Sequence, residues 1–172
     1  PAIVDLVTDC VIEIVNIDPS ILQRYVYAIL NKVWPYRSSI KQVCMIYEIK
    51  ALILVSYKYD NVDVLKLLFR KISNLLTSQH FQISLEYHSI FEIVEYIKIL
   101  EKYKEELVSI VSFALKNNLK KHWHHGVKLR SAELLSAIDV LWKQTKKSKL
   151  SKKKSKSKRN KHDKNQLRLD IF

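Results

Sequence analysis

The chain has 172 residues, 48% of them apolar, with one glycine, three prolines and a formal net charge of +13 at pH 7. That is enough apolar material for one packed domain. The shortage of glycine, which supplies most positive-φ turn positions, counts against turn-rich sandwiches, barrels and parallel α/β folds and favours an all-helical chain.

Read in chain order, residues 2–15 show helical apolar spacing from the outset, with Ile3, Val4, Leu6 and Val7, and Asn16-Ile17-Asp18-Pro19 stops the pattern. Asp18 suits an N-cap and Pro19 a first turn, which predicts a second helix to about Val33. Trp34-Pro35 ends it, because the proline ring disfavours helical geometry in the residue before it. Ser38 or Ser39 caps a third helix over about 40–56, and Asp60 or Asn61 a fourth over about 62–77. On the fourth, Leu65, Leu68, Phe69, Ile72, Leu75 and Leu76 form an amphipathic stripe, with Lys66, Arg70, Ser73 and Asn74 on the other side. Further helices are expected over 79–99 and 103–117. A last one, over about 127–142, should bury Val127, Leu134, Leu135, Ile138, Leu141 and Trp142.

Helix pairs thus begin near residues 2, 40, 81 and 127, a repeat of roughly 38–46 residues, the period range of HEAT and armadillo arrays. Each pair has an apolar stripe that it cannot bury alone, so neighbours stack into a solenoid of about three to four repeats over 1–145. An irregular bundle of the same helices is the alternative. The chain opens on Pro1 with apolar periodicity already running, and its one methionine is Met45. It is therefore read as the C-terminal portion of a longer solenoid. Without an upstream neighbour, some of Ile3, Leu6, Val7, Val11, Ile14 and Val15 are expected to lie bare.

Three histidines in His122-Trp123-His124-His125 raise the question of a metal. A zinc site needs about four ligands in a tetrahedron, and no cysteine or second histidine pair stands at ligand spacing. The expected structure is a loop whose Trp123 anchors the final helix by packing. His80 and His88 are single, and Glu105-Glu106 and Asp60–Asp63 read as solvated helix ends. There is no Gly-rich phosphate loop, nucleophile elbow or catalytic carboxylate pair. No catalytic, cofactor-binding or metal residue is assigned, and the chain is read as a non-enzyme without cofactor. Trp34, Trp123 and Trp142 sit where helices end or pack and are read as core. Arg70 has Glu48 or Glu86 as an intramolecular partner, or else faces another protein. Cys10 and Cys44 lie among apolar residues and are read as small buried hydrophobes. No apolar run is long enough to span a bilayer.

Charge sets the tail apart. Residues 146–172 carry 12 Lys/Arg and two acids, whereas the other 145 residues carry 18 Lys/Arg and 15 acids. Such a Lys/Ser-rich segment cannot collapse into a core and is expected to be disordered. Lys152, Lys153, Lys154, Lys156, Lys158 and Arg159 form a candidate nuclear-import signal, or an arm with weak, non-specific affinity for nucleic acid or importin. Ser148, Ser151, Ser155 and Ser157 are placed so that phosphorylation would cancel local charge. A helical nucleic-acid-binding or adaptor protein using this tail is the alternative reading of function.

One set of short motifs is more specific. Trp34-Pro35, Val43, Glu48, Leu68-Phe69-Arg70, Ser78-Gln79-His80-Phe81-Gln82 and His122-Trp123, in that order and spacing, resemble the C-terminal part of the B-prime family of regulatory subunits of protein phosphatase type 2A. The resemblance spans roughly residues 1–145 and diverges around Tyr87–Tyr96 and in the last helix. It implies a superhelix of HEAT-like repeats that sits on a scaffold subunit, touches the catalytic subunit and directs substrate choice and location in signal transduction. The metal site of the phosphatase belongs to another chain, so the expected protein is a regulator in the cytoplasm or nucleus. No residue-level contact to either subunit is assigned.

Overall fold

The structure, a computed structural model, describes the backbone of residues 2–140 and 142, and the side chains from Thr8 onward apart from residue 141. The chain divides into two compact units, 1–135 and 136–172. Seven α-helices are α1 (Ala2–Ile17), α2 (Ile21–Ala28), α3 (Ser39–Lys58), α4 (Val62–Leu76), α5 (Phe81–His88), α6 (Val94–Lys102) and α7 (Lys104–Lys121). The helical stretch 125–140 is α8, of which 125–135 belong to the first unit. In the second unit, residues 136–140 and 142 are described, and all are helical. No strand occurs among the described residues, and no helix there is long and apolar enough to cross a membrane.

Within the first unit alternate helices form two layers, α1, α3 and α5 in one and α2, α4 and α7 in the other. Arg130 and Ser131 of α8 reach Glu92 and His88, which sets α8 beside α5. This is the helix-pair solenoid that the period predicts. Its core is the stripe read from α4, where Leu65, Leu68, Phe69, Ile72 and Leu76 are fully buried, joined by Leu22, Ile49, Leu52, Ile53 and Val111 from the helices around it. Ser73, expected on the solvent side of α4, is buried and donates its hydroxyl to the Ile110 carbonyl of α7. The seam between α4 and α7 is close enough to need a small residue there.

Local chemistry sets most boundaries. The Ser38 hydroxyl accepts from the Lys41 amide at 3.3 Å, and Asn61 Oδ1 accepts from the Val64 amide at 3.1 Å, so both helices start at a side-chain cap. Asp18 instead builds the turn before α2, taking both the amide and the hydroxyl of Ser20. The second helix widens into a π-helical turn over Ile29–Val33, and Trp34 then turns extended ahead of Pro35 (φ −60°, ψ 126°). One boundary departs from expectation. The helix foreseen over 79–99 breaks after His88 into a 3₁₀ turn, Ser89–Glu92, and an extended Ile93 before α6 begins. Neither glycine nor proline causes this. Tyr87, His88, Ile90 and Phe91 are all buried through the break. Burial of that cluster, with Phe91 tilted against Phe69 at 6.3 Å, outweighs the lost helical bonds.

Successive repeats are joined by a rung that recurs. Lys58 Nζ and the Tyr59 hydroxyl both reach Asn16 Oδ1, at 2.9 and 3.0 Å. In the same arrangement Lys102 Nζ and the Tyr103 hydroxyl both reach Asp60 Oδ1, the lysine at 2.8 Å. Each rung spans 42 and 43 residues of sequence. Asp60, where φ is +53°, turns the chain so that its carboxylate meets the next repeat. Lys102 and Tyr103 hold that carboxyl below the usual Asp range, Lys102 being the stronger cause. Thus Asp60 is not merely a solvated helix end.

The cysteines also depart from expectation. Cys10 and Cys44 are free and exposed, on helix faces turned away from the core rather than within it. On α1, Val15 is buried, whereas Ile14 and Ile17 are 49% and 85% exposed.

Candidate functional site

The motif residues gather at the seams between repeats. At the first seam Trp34 is buried, with its indole N–H directed to Gln42 Oε1 at 3.4 Å. Lys71, from α4 of the next repeat, places Nζ 3.9 Å from the Trp34 ring centroid, 4.6 Å from the Tyr36 centroid and 3.4 Å from the Tyr36 hydroxyl. Burial lowers the Lys71 pKa to about 8, while the two ring faces attract the charged form. The Trp34-Pro35 turn is thereby pinned to the following helix. Glu48 is buried and accepts the Tyr25 hydroxyl, and that burial beside a carboxylate pushes the phenol pKa up. Arg70 is exposed and makes no salt bridge among the described residues. Neither Glu48 nor Glu86 holds it, so its guanidinium faces outward.

At the last seam the loop after α7 lies on the loop before α5. His122 is buried with Nε2 at 2.9 Å from the Ser78 carbonyl, and its Nδ1 accepts the His124 amide at 3.0 Å. Both ring nitrogens are occupied by protein groups. Trp123, expected in the core, is 64% exposed. It still anchors the loop by donating its indole N–H to the Gln79 carbonyl at 3.0 Å and meeting Phe81 edge-on at 6.1 Å. The buried member of the pair is the histidine. His124 stacks on Phe81 at 4.5 Å, and His80 stacks on the same ring at 6.2 Å. Among the described residues no three His, Cys, Asp or Glu side chains are grouped to hold a metal.

The single glycine belongs to this cluster. A Cβ on Gly126 would lie 3.0 Å from His124 Cε1 and 3.2 Å from its Nδ1, so a side chain there displaces the ring from Phe81. Alanine gains roughly 1 kcal/mol of helix propensity over glycine, and the lost stacking costs about as much. Gly126→Ala is therefore expected to change stability by less than about 1 kcal/mol while shifting Trp123 fluorescence. An unchanged emission spectrum would show that the His124–Phe81 stack does not depend on Gly126.

Between these seams lies a buried polar network that residue-by-residue reading misses. His88 Nδ1 is 2.7 Å from the Ser84 carbonyl and Nε2 is 2.9 Å from Ser131 Oγ. A carbonyl only accepts, so Nδ1 carries the proton and Nε2 takes the Ser131 hydroxyl. Asn118 Nδ2 donates to Ser131 Oγ at 3.1 Å and to the Leu76 carbonyl at 2.8 Å. A serine beside a histidine resembles a nucleophile and its base. Here Ser131 is fully buried and saturated by partners, which leaves a clamp joining α4, α5, α7 and α8. Asn118 and Ser131 interrupt the apolar stripes Val111–Ala114–Leu115 and Val127–Leu134, and that interruption is the signal that would have found them.

The arrangement binds helices to one another and offers no reacting group. The match to known proteins agrees. The family model described as "Protein phosphatase 2A regulatory B subunit (B56 family)" matches residues 3–170. The chain belongs to the B56 family. A B' kappa isoform of the 57 kDa regulatory subunit from Oryza sativa subsp. japonica is 25% identical over 120 residues, 70% of this chain and 23% of that protein. The 56 kDa regulatory subunit delta 2 isoform of Schizosaccharomyces pombe is 22% identical over 128 residues, covering 74% and 20% of the two chains. The Caenorhabditis elegans regulatory subunit pptr-1 is 29% identical over 119 residues, covering 69% and 22%. The matched stretch is thus about a fifth to a quarter of these relatives' length. Within this B56 segment several motif words are inter-repeat fasteners, while Arg70, Gln79, His80, Gln82 and Trp123 have exposed side chains. The import candidates Lys152, Lys153, Lys154, Lys156, Lys158 and Arg159 lie outside the described residues.

Proposed function

We propose that the protein bearing this chain is a non-catalytic regulatory subunit of a type 2A serine/threonine phosphatase, which binds the scaffold and catalytic subunits and directs the enzyme to substrates and locations. The observation that carries this reading is the B56 match along nearly the whole chain. The helix array supports it. Its seams are closed by internal hydrogen bonds, so what it presents to other proteins is a rigid surface, the usual contribution of a solenoid. The basic tail adds a means of location, through an import receptor in the nucleus or through polyanions in either compartment.

Tail deletion separates this function from polyanion binding. Removing residues 146–165 from the full protein should leave co-purification with the scaffold and catalytic subunits intact. The same deletion should abolish binding to a DNA duplex, which relies on lysine–phosphate contacts and falls with salt. Loss of phosphatase subunits together with the tail would mean that the basic segment, and not the helical repeats, makes the assembly.

A further inference from the structure

The outward face of α3 carries a pattern that the packing of the repeats does not use. One side of this helix is spent on the core, where Ile46, Ile49, Leu52 and Ile53 are buried. The other side should then be polar, as it is on α4, where Asp63, Arg70 and Asn74 are exposed. Instead Ile40, Cys44, Tyr47 and Leu54 are exposed, Ile40 at 77% and Tyr47 at 58%, with Ala51 half-buried among them. From Ile40 to Cys44, Tyr47, Ala51 and Leu54 the steps are four, three, four and three residues, the a/d spacing of a coiled-coil seam. Large and small side chains alternate along it. Ile40, Tyr47 and Leu54 take d positions and stand proud, while Cys44 and Ala51 at the a positions leave hollows. Charge completes the pattern. Lys41 and Lys50 take e and g positions beside the seam, and neither is in a salt bridge among the described residues. The single carboxylate of α3, Glu48, is buried and accepts the Tyr25 hydroxyl.

We propose that this face of α3 docks an amphipathic helix of another protein, whose large apolar side chains enter the hollows at Cys44 and Ala51 and whose flanking carboxylates meet Lys41 and Lys50. The seam from Ile40 to Leu54 extends about 21 Å along the axis, so the partner helix needs about four turns. Its sign follows from the e and g positions, which set partner choice and orientation in coiled coils. A second copy of the chain fits the seam less well, because it brings the same lysines and the same hollows. A lipid surface also fits less well. It rewards a broad apolar face, whereas this stripe has the narrow width of a seam between two helices. The inference does not rest on the phosphatase reading, and its test uses no phosphatase subunit.

The probe is a fluorescein-labelled synthetic helix of three Glu-Ile-Ala-Ala-Leu-Glu-Lys heptads, read by anisotropy with the full chain. A peptide of the same composition in scrambled order carries the same charge and reports attraction to the basic tail alone. The heptad peptide is expected to bind more tightly than the scrambled one and to shield Cys44 from iodoacetamide. Cys44→Glu with Tyr47→Glu should weaken it about tenfold. Lys41→Glu with Lys50→Glu should do the same, and a peptide of Lys-Ile-Ala-Ala-Leu-Lys-Glu heptads should recover that loss. Phe113→Glu, on the exposed side of α7, should leave binding unchanged. Circular dichroism checks that each variant folds, and recovery by the lysine-flanked peptide separates lost charge from lost fold. Equal binding of the heptad and scrambled peptides, an unshielded Cys44, or undiminished binding to the seam variants would overturn the proposal. So would self-association, or attachment to anionic lipid vesicles, that Cys44→Glu with Tyr47→Glu abolishes, since the occupant would then be a second copy or a membrane.

Discussion

Replacing Phe69 with alanine is expected to lower the unfolding free energy by about 3–5 kcal/mol, the range for deleting a fully buried aromatic ring. The ring is inaccessible, sits at the centre of the α4 stripe, and meets Phe91 at the break between α5 and α6. Its loss removes apolar burial and leaves a cavity among residues that belong to different helices, so none can relax into it alone. Against a typical stability of about 5–15 kcal/mol this is a large share. Phe113, 77% exposed on α7, provides the contrast: Phe113→Ala should stay within about 0.5 kcal/mol. Urea denaturation with unchanged slope measures both. A cost below about 1 kcal/mol for Phe69→Ala would mean that the α4 stripe is not the joint core of the repeats.

The second large effect is with pH. His88 is neutral in its clamp, and burial holds its pKa below the ordinary value of 6.5, with the Ser84 carbonyl bond partly opposing. Above pH 6.5 the residue is neutral both folded and unfolded, so its contribution is complete and independent of pH. As pH falls below 6.5 the unfolded chain takes up a proton that the folded clamp refuses. Stability is then lost at up to about 1.4 kcal/mol per pH unit, until the folded pKa is passed. Thermal melting between pH 7.5 and 5 should show this slope in the parent and a shallower one in His88→Gln. Parallel slopes would show that His88 is protonated without strain in the folded state. Asn118 and Ser131 share the cluster, so their substitutions are not expected to add independently to that of His88.

Much of this fold is legible in the chain because it rests on local chemistry. Ser38 and Asn61 cap helices as a polar residue before an apolar run predicts, and Trp34-Pro35 ends one as the proline ring requires. The α4 stripe is legible for the same reason, since one helix period puts all its members on one side. What the sequence hid depends on contacts made at a distance. Ser73 looks solvent-facing by periodicity and is buried because α7 crosses it. The break in helix 79–99 at Ser89–Glu92 lies among Tyr87, His88, Ile90 and Phe91, which other helices bury, and no glycine or proline announces it. Cys10 and Cys44 look buried by composition, yet among the described residues no helix covers their faces. The rungs of Asn16 with Lys58-Tyr59 and Asp60 with Lys102-Tyr103 were visible as a repeated Lys-Tyr pair 44 residues apart, a finer statement of the period than helix starts provide. At the seams, the His122-Trp123 motif marked the correct loop but not which ring enters the core.

Reconstitution tests whether these repeats belong to a regulatory subunit working in a phosphatase complex. The full protein bearing this chain is mixed with purified scaffold and catalytic subunits and resolved by size exclusion with in-line light scattering. One peak with the mass of a 1:1:1 complex is expected, carrying the phosphatase activity of the catalytic subunit. Scaffold and catalytic subunits eluting together while this protein elutes apart, under conditions where another B56 member joins them, would contradict it.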